Sequence, residues 1–417
     1  MTTRADRARR RRVAPRGRRI SAGREAIRGI AIAALTLALT ACSDPLEFAD
    51  WTFDVPEGVR VVGYAATPDD QRSERVELVE DLVLGLDDSD PEQRFYGLRD
   101  VDADADGNLW VLDGGNSRIQ VFDRDGAFVR TVGREGQGPG ELESPSWLTV
   151  AGERVIVRSA QSRISVFRAL DGSHVGDATV SESGFSLSTL TGRSDGTFYA
   201  GTTEFDRSGD TALSVGDVPA ELVVARFNQD AELLNEVVRL PSVVIFVSSA
   251  AEKRPAGVAR PFASFAAART GEVYGITASQ YQVMALDADA EPAWALRVAY
   301  EPAELTEEII EGAVESARRR RPDTTRADLL WPDRLPALSH VAVDGHGHIY
   351  VYPHFERGEE LEDRPVDVYS PEGELLFSGM ILDRQWRRAR GDYVYAAGSD
   401  RVTGELLVWR WRLDEPF

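Results

Sequence analysis

From about residue 98 the chain alternates apolar and polar positions in short bursts divided by turn residues, as a sheet folded from hairpins does. Val101, Ala103 and Ala105 alternate with Asp100, Asp102, Asp104 and Asp106, the period-2 pattern of a half-buried strand. Asp106-Gly107 supplies a tight turn, because glycine tolerates positive φ. Three more strands are expected at 109–112, 119–122 and 128–132. The rhythm returns over 146–180, from about 188, from 261 to 298 and over 338–382, with a last partial unit at 393–411. One segment departs from it. Over 306–321, Ile310, Ala313, Val314 and Ala317 fall at helical spacing, Glu307 and Glu308 occupy the first turn, and Arg318 to Arg321 the last. Pro322 stops this helix, expected at about 304–321, and the arginine run reads as its solvated end rather than a docking patch.

The units also repeat in detail. Gly107-Asn-Leu-Trp-Val111, Ser117-Arg-Ile-Gln-Val-Phe122 and Asp125-Gly126 are answered by Ser162-Arg-Ile-Ser-Val-Phe167 and Asp171-Gly172, with Arg118 and Arg163 separated by 45 residues. Weaker echoes stand at Asp195-Gly-Thr-Phe-Tyr199, Gly271-Glu-Val-Tyr274 and Gly347-His-Ile-Tyr-Val351. A period in the forties built from short strands marks a β-propeller. The C-terminal segment fills only part of a blade, and a raw sheet edge invites aggregation. The expected fold is therefore all-β, six-bladed, closed by pairing strands between Val59 and Leu84 with the region Leu406–Trp411. Two inserts, near 242–259 and 303–334, and a polar stretch at 203–219 take up the remaining length. The glycine-rich stretch 133–141 reads as an inter-blade link, since no GxxxxGK[ST] pattern or helix follows it.

Charge is distributed unevenly. Residues 1–28 hold eleven arginines against Asp6 and Glu25, whereas the whole chain carries −21, leaving about −30 for the remainder. So acidic a body argues against nucleic acid or anionic lipid as the partner of the propeller itself. Behind the basic stretch, residues 29–41 are uncharged and apolar, too short to span a bilayer but suited to a signal peptide. They end in Leu39-Thr40-Ala41-Cys42, which resembles a bacterial lipobox, and Cys42 is the only cysteine. Residues 1–41 are thus expected to be a lipoprotein signal peptide, with lipidation at Cys42, a tether over 42–58 and the propeller over 59–413. The alternative is an uncleaved anchor with an incidental thiol. Ser43 after the cysteine favours the outer membrane by the enterobacterial sorting rule.

The repeat strings resemble NHL-type repeats. Together with Gly136-Gln-Gly-Pro-Gly-Glu141, Arg260-Pro-Phe262 and Tyr281-Gln-Val283, they make the chain similar to the bacterial six-bladed β-propeller lipoproteins over about 59–413. That resemblance implies a fold and an envelope location, not a reaction.

Enzymes on this scaffold that resemble gluconolactonase or streptogramin lyase hold a metal or a His/Glu set in the central channel. Aligning the turn glycines places Asp100, Ser146, Thr189, Ser264 and His340 at equivalent inner-strand starts, as candidate channel-lining and ligand-binding residues. One acid and one histidine make a poor donor set for calcium or zinc, so no metal or cofactor is expected. His340, His346, His348 and His354 read as surface or turn residues, and Asp102, Asp104 and Asp106 lack the glycine and distal glutamate of a calcium loop. No glycine elbow around a serine is visible, and Cys42 is committed to the lipobox. Trp147, Trp294, Trp331, Trp386, Trp409 and Trp411 could form a sugar platform, but strand aromatics between blades are commonly core. The sequence thus points to a monomeric, lipid-anchored module that binds a protein, small molecule or glycan. The alternative is a hydrolase or lyase acting in the channel.

Overall fold

The computed structural model describes residues 55–64, 75–76, 78–86, 89–180, 187, 189–204, 216–246, 254–256, 262–277, 279–300, 304–332, 335–354, 365–382, 388–400 and 403–413. The proposed signal peptide, Cys42 and most of the tether lie outside these residues, as does Trp386. Among them no helix is long and apolar enough to cross a membrane.

Among the described residues, six sheets of four or five strands follow one another along the chain, and a two-stranded sheet joins the inserts. Blades 1 and 2 are four-stranded meanders over 98–132 and 147–179, and blade 3 is another over 189–246. Blades 4 (264–298) and 5 (338–382) each gain a fifth, outermost strand, and blade 6 joins 388–412 to a strand from near the start of the chain. Hydrophobic packing shows that the sheets form a ring. Trp110, Ile119 and Val121 of blade 1 pack with Leu148, Val155 and Phe167 of blade 2. Equivalent clusters join blades 2 and 3, 3 and 4, 4 and 5, and 5 and 6. A sixth brings Tyr395 and Val408 of blade 6 onto Val101, Leu109 and Phe122 of blade 1. Each blade buries both faces against its neighbours, as a propeller requires.

Closure differs in part from the sequence expectation. Only Val79–Leu84 enters blade 6, antiparallel to Leu406–Arg412, with Val83 opposite Trp409. The earlier strand Arg60–Tyr64 instead runs parallel to Pro292–Val298 at the rim of blade 4, and Arg75–Val76 runs parallel to Leu375–Leu382 at the rim of blade 5. The reason is local packing. Val62 and Tyr64 fit against the core between blades 4 and 5, where Tyr64 donates its hydroxyl to the Gly373 carbonyl at 3.3 Å and accepts from the Leu375 amide at 2.9 Å. The N-terminal segment thus supplies an outer strand to blades 4, 5 and 6 in turn.

The repeated Ser-Arg-Ile strings have a structural cause. Ser117 and Ser162 both adopt positive φ (49° and 58°), turning the chain into the third strand. The arginine that follows ties down the preceding loop: Arg118 pairs with Asp113 at 3.1 Å, and Arg163 donates to the Gly138 carbonyl at 2.7 Å. That second contact fastens the glycine-rich link, which also closes on itself through the Gly138 amide to the Glu141 carboxylate.

Two further differences concern the inserts. Gly216–Phe227 and Leu233–Phe246 form one long hairpin, so Gly216 to Pro219, expected within a polar insertion, pair with Val243 to Phe246. The helix runs Glu307–Arg318, capped by Thr306, whose Oγ1 accepts from the Ile309 amide at 3.3 Å. It ends three residues short of Arg321, consistent with the bias against helical backbone just before a proline. Its Val314 packs with Ala256 and Leu329, while Arg254–Pro255 pairs parallel to Leu329–Leu330. The two inserts therefore support each other.

Candidate functional site

The innermost strands, Leu98–Ala103, Trp147–Ala151, Thr189–Gly192, Ser264–Ala267, Leu338–Val343 and Arg388–Arg390, surround the ring axis. Along it lies a cavity of about 1300 Å³. Of the five inner-strand candidates, Thr189, Ser264 and His340 line it. Trp147, Thr149 and Thr191 join them, giving a wall rich in hydroxyl groups. His340 is exposed and its ring lies 5.8 Å from that of Tyr352. Burial pushes the Tyr352 phenol above its ordinary range, and its hydroxyl has no hydrogen-bond partner among the described residues.

Asp100 and Ser146 are placed differently. The Ser146 hydroxyl accepts from Arg158 at 3.0 Å, away from the cavity wall. Asp100 is wholly buried and its Oδ2 accepts from the Leu148 amide at 3.1 Å and from Arg388 at 2.8 Å. Its neighbour on the same side of the strand, Asp102, is also wholly buried. The Asp102 carboxylate accepts from the Thr149 hydroxyl at 3.1 Å, the Val150 amide at 2.8 Å and Arg269. The alternation therefore does not put acids on a wet face. Valine and alanine face the inter-blade core, while the aspartates are covered by arginines reaching across the axis.

Arg269 makes the longest of these crossings. It leaves the end of the blade 4 inner strand and reaches blade 1, opposite in the ring, while donating to the Val150 carbonyl of blade 2 at 2.7 Å. Arg388 of blade 6 bonds Asp100 and the Leu148 carbonyl, the latter at 3.1 Å. Burial opposes ionisation of Asp102, but Arg269, Arg388 and the Val150 amide outweigh it and hold its carboxyl below the usual range. Burial likewise opposes the charge on Arg388, and Asp100 and Asp102 more than compensate. For Arg269, burial together with repulsion from Arg390 and Arg388 prevails over Asp102, lowering its hold on the proton.

The arginines were not anticipated from sequence. The alignment of inner-strand starts ran through five blades and stopped at the partial sixth, whose inner strand begins at Arg388. Arg269 carries no strand signal, because it stands in the turn after Ala267. His346 and His348 stand close, with ring centroids 6.2 Å apart, but take different partners: His346 meets Asp392 at 2.9 Å, and His348 meets Asp344 at 2.9 Å. Among the described residues no group of three or more His, Cys, Asp or Glu side chains is arranged to hold a metal ion. Of the tryptophans, Trp294 is core and donates to the Pro371 carbonyl at 2.9 Å, while Trp409 and Trp411 stack with centroids 5.9 Å apart beside the cavity.

No curated protein matches the sequence. Among solved structures, a protein of Bacteroides fragilis NCTC 9343 is 14% identical, over 85% of this chain and 100% of its own, with a TM-score of 0.46. Regucalcin of Agrobacterium tumefaciens, a calcium-binding protein, is 10% identical over 85% of this chain and 97% of its own, at 0.39. BamB of Moraxella catarrhalis is 12% identical over 76% and 83%, at 0.34. The chain is an all-β six-bladed propeller, and its residues 98–208 match a family described as a 6-bladed beta-propeller.

Proposed function

We propose that this protein is a lipid-anchored binding module of the cell envelope whose ligand occupies the axial cavity. The observation that carries the reading is the cavity itself: about 1300 Å³, walled by threonine, serine and histidine side chains from several blades. A concave site with a few convergent polar groups is the usual form of a small-molecule pocket. The walls are inner strands pinned by buried ion pairs, so the pocket is preformed and rigid, which limits the ordering cost of binding. The anchor is supplied by the lipobox-like sequence ending at Cys42, with residues 42–58 as a tether.

The test is to fill the cavity. Thr191→Trp places an indole where a threonine now lines the wall. Envelope extract fractions that raise the melting temperature of the wild-type chain are expected to lose that effect on the Thr191→Trp variant, with its fold retained by circular dichroism. Stabilisation that persists in the filled variant would move the binding site off the axis.

A further inference from the structure

Three arginines, Arg269, Arg388 and Arg390, line the cavity. Arg269 is matched to Asp102 and Arg388 to Asp100, but Arg390, on the same strand as Arg388 and two residues on, has no ion-pair partner among the described residues. Its Nε is buried without a hydrogen-bond acceptor, as is the Nε of Arg388, a side chain only 10% exposed. The other acids on the wall, Asp344, Glu272 and Asp400, form no ion pair with Arg390 among the described residues and hydrogen-bond to other groups. Asp344 accepts from the His346 and His348 amides and the Tyr350 hydroxyl, Glu272 accepts from Thr270, and Asp400 accepts from Thr403.

Arg390 helps to stabilise the Asp102 charge but has no carboxylate at contact distance among the described residues, and a half-buried guanidinium is costly unless something supplies the missing acceptors. Arginine's planar fork suits a carboxylate or phosphate, which it can bind through two parallel hydrogen bonds. Across the cavity stand Thr189, Thr191 and Ser264, which can donate to and accept from hydroxyl groups.

Resting on the reading of the cavity as a ligand site, we infer that Arg390, flanked by Arg388 and Arg269, holds the anionic group of a small hydroxylated organic acid. Arg390 forms the anion subsite and the hydroxyl wall receives the rest of the molecule. Arg269 and Arg388 are spoken for by the aspartates and set the local field; Arg390 makes the contact.

The experiment is calorimetric titration of the full chain at fixed ionic strength. The probes are galacturonate, galactose (the same ring without the carboxylate) and inorganic phosphate. Galacturonate is expected to bind saturably and galactose at least about tenfold more weakly, some 1.4 kcal/mol. Arg390→Gln should lower galacturonate affinity by about the same factor and leave galactose unchanged. Arg390→Lys, which keeps the charge but loses the fork, should retain part of the affinity. Arg134→Gln, at an exposed outer site, should change nothing. Phosphate binding that depends on Arg390 where galacturonate fails would keep the anion subsite and replace the carboxylate by a tetrahedral oxyanion. Equal affinity for galactose and galacturonate, both abolished by Thr191→Trp, would overturn the anion subsite yet leave the cavity as the ligand site. Failure of both anions to bind, or binding indifferent to Arg390→Gln, would overturn it as well.

Discussion

Asp102 lies without solvent contact where blades 1, 2 and 4 meet, and its two oxygens accept from the Ala103 amide of its own strand, the Val150 amide of the next blade, a threonine hydroxyl and a guanidinium. Removing its charge while keeping its shape should strand Arg269 beside Arg388 and Arg390. Asp102→Asn is expected to lower stability by about 3 kcal/mol, in the range for breaking one partner of a buried pair. The double variant Asp102→Asn/Arg269→Met should recover part of that loss, as read from denaturant midpoints. The acid limb carries a second signature. The Asp102 carboxyl titrates below its unfolded value, so its contribution is complete above about pH 4 and is lost as pH falls through the folded value. The Asp102→Asn variant should therefore show a flatter decline in stability below about pH 4 than the wild type.

Among the elements, Val79–Leu84 does the most for the architecture with the fewest residues. Leu84 is buried against Val408 and Tyr395, and Asp81 bonds Arg410. The parallel strands Arg60–Tyr64 and Arg75–Val76, by contrast, add to sheets that already have four strands. A chain beginning at Leu78 is expected to fold as a monomer with a lowered melting temperature. One beginning at Tyr96 lacks the outer strand of blade 6 and should aggregate, because it leaves Leu406–Arg412 as an open edge. Size-exclusion chromatography of the two truncations separates these outcomes. This element also marks how far the sequence could be read. The period of 45 residues and the incomplete last blade made the ring and its closure legible. Which of the early strands closes it was not, because Val59-Arg-Val-Val62 and Leu82-Val-Leu84 are equally strand-like, and the choice is made by long-range partners such as Gly373 and Leu375 for Tyr64. The site shows the same division. Thr189, Ser264 and His340 follow from blade register, whereas the arginine cluster depends on side chains crossing the axis, which no local pattern encodes.

At the scale of the whole molecule, the axial cavity and the lipobox-like sequence are the two features behind the proposal of a ligand-binding module tethered to a membrane. If Cys42 carries the lipid, Cys42→Ser should shift the protein from the membrane pellet to the soluble fraction without changing the melting temperature of the propeller. An unchanged pellet would remove the anchor from the account. The cavity wall and its ion pairs draw on blades all round the axis, so both require a closed ring. That closure can be measured directly. Val83 and Trp409 are opposed in neighbouring antiparallel strands, a separation a disulfide can bridge. In a Cys42→Ser background, which has no other thiol, Val83→Cys/Trp409→Cys is expected to oxidise to an intramolecular cross-link. It should appear as a monomer of altered mobility on a non-reducing gel, with a raised melting temperature. Free thiols that persist under oxidising conditions, or cross-linked dimers in place of the monomer, would contradict the closed ring.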